Sequence, residues 1–391
     1  MKVGVFTSTL TLAILSSSGV AHPGEHHDHL QIKREGKRAL AKCENSPKHR
    51  DLSARSAKRR AETVQELRTE RNIKSRARKW KDLATLEAYE AVDHNKTAVY
   101  TYDSTTPEAT VFAANSSCIL TPEVTDGPYY VFGEAIRKNV KEDMYSDGVD
   151  LYLEVQYLDI NTCEPVPDVA VDIWNANATG VYSGISVSGN YAADGYNSTY
   201  LRGIQFTGAD GVASFETIFP GHYEGRATHT HLLAYMNAVV NANETITNGT
   251  GTVTHIHQLF RNEVLKAEVE ATYPYNTNEQ PITTNEEDMW SIVQAENDYD
   301  PFPEYLYLGD DVSDGLFGWI QIAINTTQDM STDLYYAVAA YIDTDGVHVE
   351  TDSLMGGGNG TAPNMTAPAA PSSTARAVNS TVEAESCSEF R

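Results

Sequence analysis

The chain has 391 residues, with 29 Lys+Arg against 54 Asp+Glu and a formal net charge of −25. That length allows one large domain or two modest ones. So acidic a balance, with no aromatic residues interleaved in its basic stretch, argues against a nucleic-acid partner.

The N-terminus sets the compartment. Lys2 is followed by an apolar run to Leu15, then by small residues ending Ser18-Gly19-Val20-Ala21. This is the pattern of a secretory signal peptide over residues 1–21, cleaved after Ala21, and no later run is apolar enough to span a membrane. Asn-x-Ser/Thr triplets at Asn95, Asn115, Asn177, Asn197, Asn243, Asn248, Asn325, Asn359, Asn364 and Asn379 also suit an extracellular glycoprotein. In an oxidising compartment Cys43, Cys118, Cys163 and Cys387 allow three pairings. Cys118 with Cys163 is favoured, because both flank the start of the patterned domain.

Residues 22–104 read as a basic, partly helical segment. Up to Asp82 there are 19 Lys+Arg and 9 Asp+Glu, which leaves 29−19 = 10 basic and 54−9 = 45 acidic residues for the remainder. The basic segment and the acidic body should therefore attract one another. From His22 to about Leu52 the chain is polar and His-rich. Lys33-Arg34, Lys37-Arg38 and Lys58-Arg59-Arg60 read either as processing sites of a trimmed pro-segment or as solvated charge. Ala61 to Val92 contains helix formers without Gly or Pro. Val64, Leu67, Ile73, Trp80, Leu83 and Leu86 form a patchy apolar stripe there, predicting one or two surface helices.

Strand signals dominate residues 105–350. Leu151, Leu153, Val155 and Tyr157 alternate with Tyr152, Glu154 and Gln156, and Val169–Trp174 alternates likewise. Val212–Ile218 follows the turn Ala209-Asp210-Gly211; His229–Tyr235, Val253–Leu259, Trp319–Ile324 and Tyr335–Ile342 come later. Short strands punctuated by Gly, Asp and Pro describe an antiparallel-rich β-sandwich or barrel. Asn237 to Val253 reads as a loop insertion between two strands. Residues 351–391, rich in Gly, Pro, Ser, Thr and Ala, read as a disordered, glycosylated tail.

One stretch carries the chemistry: Phe219 to Tyr235, FPGHYEGRATHTHLLAY. Residues i and i+2 of a strand share a face, so His229 and His231 present two imidazoles side by side, ready to act as adjacent ligands of one metal ion. Pro220-Gly221 bends the chain ahead of Tyr223. A second phenol, Tyr182, ends the run Trp174-Asn-Ala-Asn-Ala-Thr-Gly-Val-Tyr182. Phenolates are hard anionic donors, and with two imidazoles they suit Fe(III) better than zinc.

From about Cys118 to Phe260 the chain resembles the intradiol ring-cleaving dioxygenases, in particular their secreted fungal branch. The matching pieces are CILTPEVTDGPYY (Cys118–Tyr130), WNANATGVYSG (Trp174–Gly184), YLRGIQFTGADGVASFETIFPGHYEGRATHTH (Tyr200–His231) and HQLF (His257–Phe260). The resemblance implies a mainly β protein, with a mixed-topology β-sandwich catalytic core beside the short helical N-terminal segment. It implies non-haem Fe(III) held by Tyr182, Tyr223, His229 and His231, with Tyr223 the phenolate that departs during catalysis. It places the active-site arginine at Arg226 and the glutamine at Gln258. The implied substrates are a small aromatic diol and O2; the ring opens between the hydroxyl-bearing carbons to a muconate-type diacid.

Charge counting fits that set. Two phenolates and two neutral imidazoles leave Fe(III) one positive charge, which a bound hydroxide cancels, so the pocket stays near neutrality. Arg226 would stabilise negative charge developing on the ring. His257 stands where relatives are expected to carry glycine, and with His255 it makes a second His-x-His; the first pair is preferred because Tyr223 and Arg226 precede it at the family's spacing. A glycan at Asn177 would crowd the site, unless that side chain is held for structural reasons. Two other readings stay open. Trp174, Tyr191, Tyr196 and Tyr200 could form the sugar-binding platform of a non-catalytic sandwich. Cleavage after Ala21 would expose His22, with His26, His27 and His29 nearby, as a copper-binding terminus.

Overall fold

Alternating apolar residues build two four-stranded sheets. β2 (Asp150–Asp159), β5 (Val212–Ile218), β8 (Glu304–Tyr307) and β9 (Leu316–Ile324) form one, in the order β5-β2-β9-β8. β3 (Ala170–Trp174), β4 (Arg202–Phe206), β6 (His229–Met236) and β7 (Thr252–Phe260) form the other, in the order β4-β3-β6-β7. The second sheet is antiparallel throughout. In the first, β2 runs parallel to β9, which makes the topology mixed. A small third sheet joins β1 (Val131–Phe132), β10 (Ala340–Ile342) and β11 (His348–Glu350). The computed structural model describes residues 47–71, 92–99, 112, 121–142, 147–185, 197–247, 249–295, 299–333, 336–342 and 348–350.

The expected strands are present, with ends within a few residues, except the last. Of the expected Tyr335–Ile342, Tyr335 lies outside the described residues, and within 336–342 the strand is Ala340–Ile342. β4 and β8 were not expected as strands. Leu151, Leu153, Val155 and Tyr157 of β2 meet Ile173 of β3 and Leu232 and Ala234 of β6 in the core between the sheets. The loop after Met236 folds back on itself through a bridge between Val240 and Ile246, in keeping with the expected insertion.

Helix α1 (Pro47–Glu70) departs most from expectation. It starts inside the stretch read as polar and His-rich, ahead of the helix expected from Ala61, with Pro at the first helical position, where a missing N–H costs nothing. Ala57, Ala61, Val64 and Leu67 pack on Leu306, Leu308, Phe317 and Trp319, on the outer face of the first sheet. The basic triplet lies inside this helix. Arg60 is 1% exposed; its Nε donates to Glu154 Oε1 at 2.7 Å and its guanidinium lies 5.8 Å from the Trp319 ring. Arg59 also pairs with Glu154, at 2.9 Å. Solvated charge is therefore the wrong description of Arg60. Arg55 with Asp210 and Arg71 with Asp150 extend the expected attraction between basic segment and acidic body.

The expected signal peptide, the first two dibasic pairs, residues 72–91 and the expected tail lie outside the described residues, as do the His22–His29 tract and Cys43, Cys118 and Cys387. Cys163 is disulfide-bonded; its expected partner Cys118 is among those not described. No helix among the described residues is long and apolar enough to cross a membrane.

Glu154→Gln would leave two guanidinium groups against a neutral amide in a dry interface. Breaking a buried pair in this way costs about 3–5 kcal/mol. Urea unfolding should show that loss; a midpoint equal to wild type would mean that α1 does not depend on the pair.

Candidate metal centre

The outward face of the second sheet is built in rows. Arg202, Trp174, His231 and Gln258 stand opposite one another across its four strands. Two residues further along, Ile204, Asp172, Leu233 and Ile256 do the same. The intervening rows, Gly203-Ile173-Leu232-His257 and Gln205-Val171-Ala234-His255, turn toward the other sheet. Pleat parity thus puts His229 and His231 on the outer face and His255 and His257 on the inner one. His255 donates through Nδ1 to the Glu123 carboxylate, and His257 lies edge-on to Tyr157. The second pair is therefore directed away from the first.

All four sequence-predicted ligands come together. His229 Nε2 and His231 Nε2 are 2.8 Å apart, and the Tyr223 hydroxyl is 3.3 Å from His229 Nε2. The Tyr182 ring lies edge-on to Tyr223 at 5.5 Å and to His231 at 6.1 Å. Tyr182 reaches the pocket from a loop that Asn177 shapes: its Oδ1 accepts from Thr179 N, Thr179 Oγ1 and Val181 N. Asn177 thus already has the structural task that the glycan reading set against it.

Electrostatics favour a cation here. Burial pushes the Tyr182 phenol well up and the Tyr223 phenol up to about 12, with Arg226 opposing the latter. Burial, aided by Arg226, pushes His229 down to about 3; burial and then His229 depress His231. All four groups are therefore neutral near pH 7. The Ala227 carbonyl faces His229 Nδ1 at 2.6 Å and can only accept, so the lone pair of His229 is on Nε2. The Tyr182 hydroxyl is buried, with the Tyr223 phenol as its polar neighbour. Bringing desolvated lone pairs together is costly unless something positive meets them, and a bound cation reverses the local pKa pattern. Two phenols with two imidazoles form a hard, anionic-capable donor set, which fits Fe(III). Among the described residues no group of three or more His, Cys, Asp or Glu is arranged to hold a metal ion.

Arg226 and Gln258 are also brought together. Arg226 Nη2 donates to Gln258 Oε1 at 2.5 Å, and Arg226 Nε donates to Asp288 Oδ2 at 2.9 Å. Gln258 Nε2 donates to the Thr125 carbonyl at 2.7 Å. The amide oxygen of Gln258 is thus committed to the arginine, rather than offered to a ligand.

Three neighbours were missed. Trp174 stacks face to face on His231, with centroids 4.7 Å apart and planes 5° apart. Tyr129 stacks on Tyr182 at 4.8 Å. Gly127, at φ +70°, lets the 125–130 segment approach so closely that a Cβ there would sit 3.4 Å from His231 Cε1. DGPYY carries a turn signal, but nothing in a linear pattern says which strand that turn covers. The platform reading fails for the members described: Trp174 is against His231, and Tyr200 is in the core between the sheets. Tyr191 and Tyr196 lie outside the described residues.

Known proteins resemble the chain over this region. A family model described as dioxygenase matches residues 125–244. An intradiol ring-cleavage dioxygenase of Tetranychus urticae is 32% identical, over 54% of this chain and 97% of that one, with a TM-score of 0.45. Catechol 1,2-dioxygenase 1 of Acinetobacter lwoffii is 32% identical over 105 residues, 26% of this chain. The chain spans 32% of the length of that curated relative. The dioxygenase domain of a carbohydrate-binding fusion from Streptomyces sp. SirexAA-E is 22% identical over 97% of its length, with a TM-score of 0.32.

Gly127→Ala forces a side chain into left-handed backbone beside His231, which costs about 1–3 kcal/mol. A lowered thermal midpoint is expected; an unchanged one would show that the turn has slack against the imidazole.

Proposed function

The chain belongs to the intradiol ring-cleavage dioxygenase family, and on that premise we propose that it is a non-haem Fe(III) dioxygenase. It opens catechol-type rings between the two hydroxyl-bearing carbons with O2, giving muconate-type diacids. The observation that carries this reading is the convergence of Tyr182, Tyr223, His229 and His231 in one dry pocket.

The two phenol oxygens and the two Nε2 atoms would hold the iron. Ferric iron held there would supply Lewis acidity toward the diol and activate its ring toward dioxygen. The chain's own part is proton and charge management. Tyr223 is 9% exposed whereas Tyr182 is fully buried, so Tyr223 is the phenol that an incoming diol meets. As a phenolate it is the base within the pocket, taking a diol proton on its oxygen; Tyr182, stacked under Tyr129, stays in place. Arg226 keeps a fixed positive charge beside both phenols and offsets negative charge as it builds on the ring. Trp174 and Tyr129 keep His231 and Tyr182 from swinging and help to exclude water.

We further propose that the enzyme acts outside the cell. The apolar run after Lys2 with its Ser-Gly-Val-Ala end and the ten sequons support that placement.

Reconstitution with ferric iron should give a coloured protein, because ferric phenolates absorb broadly in the visible, and oxygen uptake with catechols should follow. A protein that stays colourless and iron-free would favour a non-catalytic sandwich. Tyr182→Phe should lose iron or shift the band, whereas Tyr223→Phe should keep iron and turn over slowly; normal cleavage by both variants rules out this ligand set. Arg226→Ala should keep iron and colour with kcat lowered at least about tenfold. Unchanged turnover removes Arg226 from the mechanism.

A further inference from the structure

Arg226 is the one charged side chain to which the proposed chemistry assigns a direct electrostatic task, and a guanidinium on a flexible stem must be held to perform it. Free, such a side chain has about 2 kcal/mol of rotamer entropy. The backbone before it offers little restraint: Gly225 has φ +83°, and a Cβ added there would meet nothing within 4 Å. Restraint comes instead from the far side of the pocket, from helix α4 (Met289–Gln294), which follows α2 (Lys96–Val99) and α3 (Glu263–Glu270) in the chain, and from the residue that caps it.

Asp288 is 2% exposed and its carboxylate is fully engaged. Oδ2 accepts from Arg226 Nε at 2.9 Å and from Ala227 N at 2.7 Å. Oδ1 accepts from Trp290 N at 2.8 Å and Ser291 N at 3.4 Å, capping α4. The carboxylate therefore cannot follow the arginine if it swings away; it is pinned by its own helix. It also grips the peptide unit next in line. Ala227 N–H is held by Asp288, and the Ala227 carbonyl is the acceptor for His229 Nδ1. Arginine placement and imidazole orientation thus share one anchor.

The other end of α4 fixes the second partner of Arg226. Gln294 Oε1 accepts from the backbone N of Gln258 at 2.9 Å, and its Nε2 donates to the Pro122 carbonyl at 2.9 Å. The same 122–125 segment takes the Gln258 amide through the Thr125 carbonyl, which leaves Gln258 Oε1 facing Arg226 Nη2. Asp288 and Gln294 lie beyond residues 125–244, so the matching family model does not cover them.

We propose that Asp288 and Gln294 are positioning residues: together they clamp Arg226 from both ends of α4, and they act on the rate chiefly through that arginine. This rests on the reading that Arg226 stabilises charge on the ring. In Asp288→Asn the side chain keeps its size but loses the charge that holds Nε. The iron-loaded variant should keep its visible band and a KM within about threefold of wild type, with kcat at least about tenfold lower. Gln294→Met should show the same signature more weakly. If Asp288 works through Arg226, the double variant Arg226→Ala/Asp288→Asn should be no slower than Arg226→Ala alone, within about threefold. A wild-type kcat in Asp288→Asn, or losses that multiply in the double variant, overturns the proposal. A second readout needs no turnover. In metal-free protein the Arg226 Nε–H should exchange slowly by NMR in wild type, and fast in Asp288→Asn or, if that variant does not fold, in Gln294→Met. Equal protection overturns the clamp. Absence of catechol cleavage by wild type would instead count against the dioxygenase reading, with the clamp still judged by exchange.

Discussion

Four donor side chains that burial holds neutral meet in one pocket, and most of the architecture around the site is a consequence of keeping them there. Each would be better solvated in water. Burial raises both phenols and depresses both imidazoles, so the pocket carries no charge of its own to attract them to one another. The convergence must be imposed by the scaffold. The pleat of β6 sets the two imidazoles two residues apart on one face, β3 supplies Trp174 directly opposite His231, and the close turn at Gly127 covers them. Such an arrangement makes physical sense when a trivalent cation is the guest, since it turns all four lone pairs from a cost into a binding energy.

How far the sequence reading reached follows from how local each signal is. Period-two alternation is local, so the strands from Leu151, Val169, Val212, His229 and Val253 were legible. β8 offers only four residues, Glu-Tyr-Leu-Tyr, too short for a periodic signal. α1 was partly missed for a different reason. Its inward stripe runs His49, Leu52, Ser56, Arg60, Val64 and Leu67, at helical spacing, but half of those residues count as polar. They suit an interior only because Glu154, Gln156 and the Trp319 ring await them on the outer face of the first sheet. No window of sequence contains both halves of that match. Conversely, the charge contrast between the two parts of the chain was a sound guide, because it is summed over many residues and survives ignorance of which pairs form.

Within the site the same distinction holds. Tyr182, Tyr223, His229 and His231 were legible because their order and flanking turns form a linear pattern. The spacing from Tyr223 and Arg226 already favoured the first His-x-His pair; where the second one points needed cross-strand register. Both pairs have equal parity within their own strands, and a bulge between Ala234 and Tyr235 shifts the pairing of β6 with β7. The observed rows, with His231 beside Trp174 and His257 beside Leu232, put the two pairs on opposite faces. Trp174, Tyr129 and Asp288 were out of reach because their meaning lies in what they touch across the fold.

Charge balance connects the donor set to the arginine. A ferric ion held by two phenolates and two neutral imidazoles would keep one positive charge, and Arg226 is paired with Asp288. Asp288 is buried and fixed by its own helix, whereas Tyr223 also interacts with the guanidinium through charge. In the proposed reaction Tyr223 changes its protonation while Asp288 keeps Arg226 in place, so an entering diol would meet one group able to take a proton and another that cannot give one up. That division between a mobile phenol and an immobile guanidinium is the electrostatic logic of the site, and it depends on Asp288 sitting on rigid structure rather than on the loop it restrains.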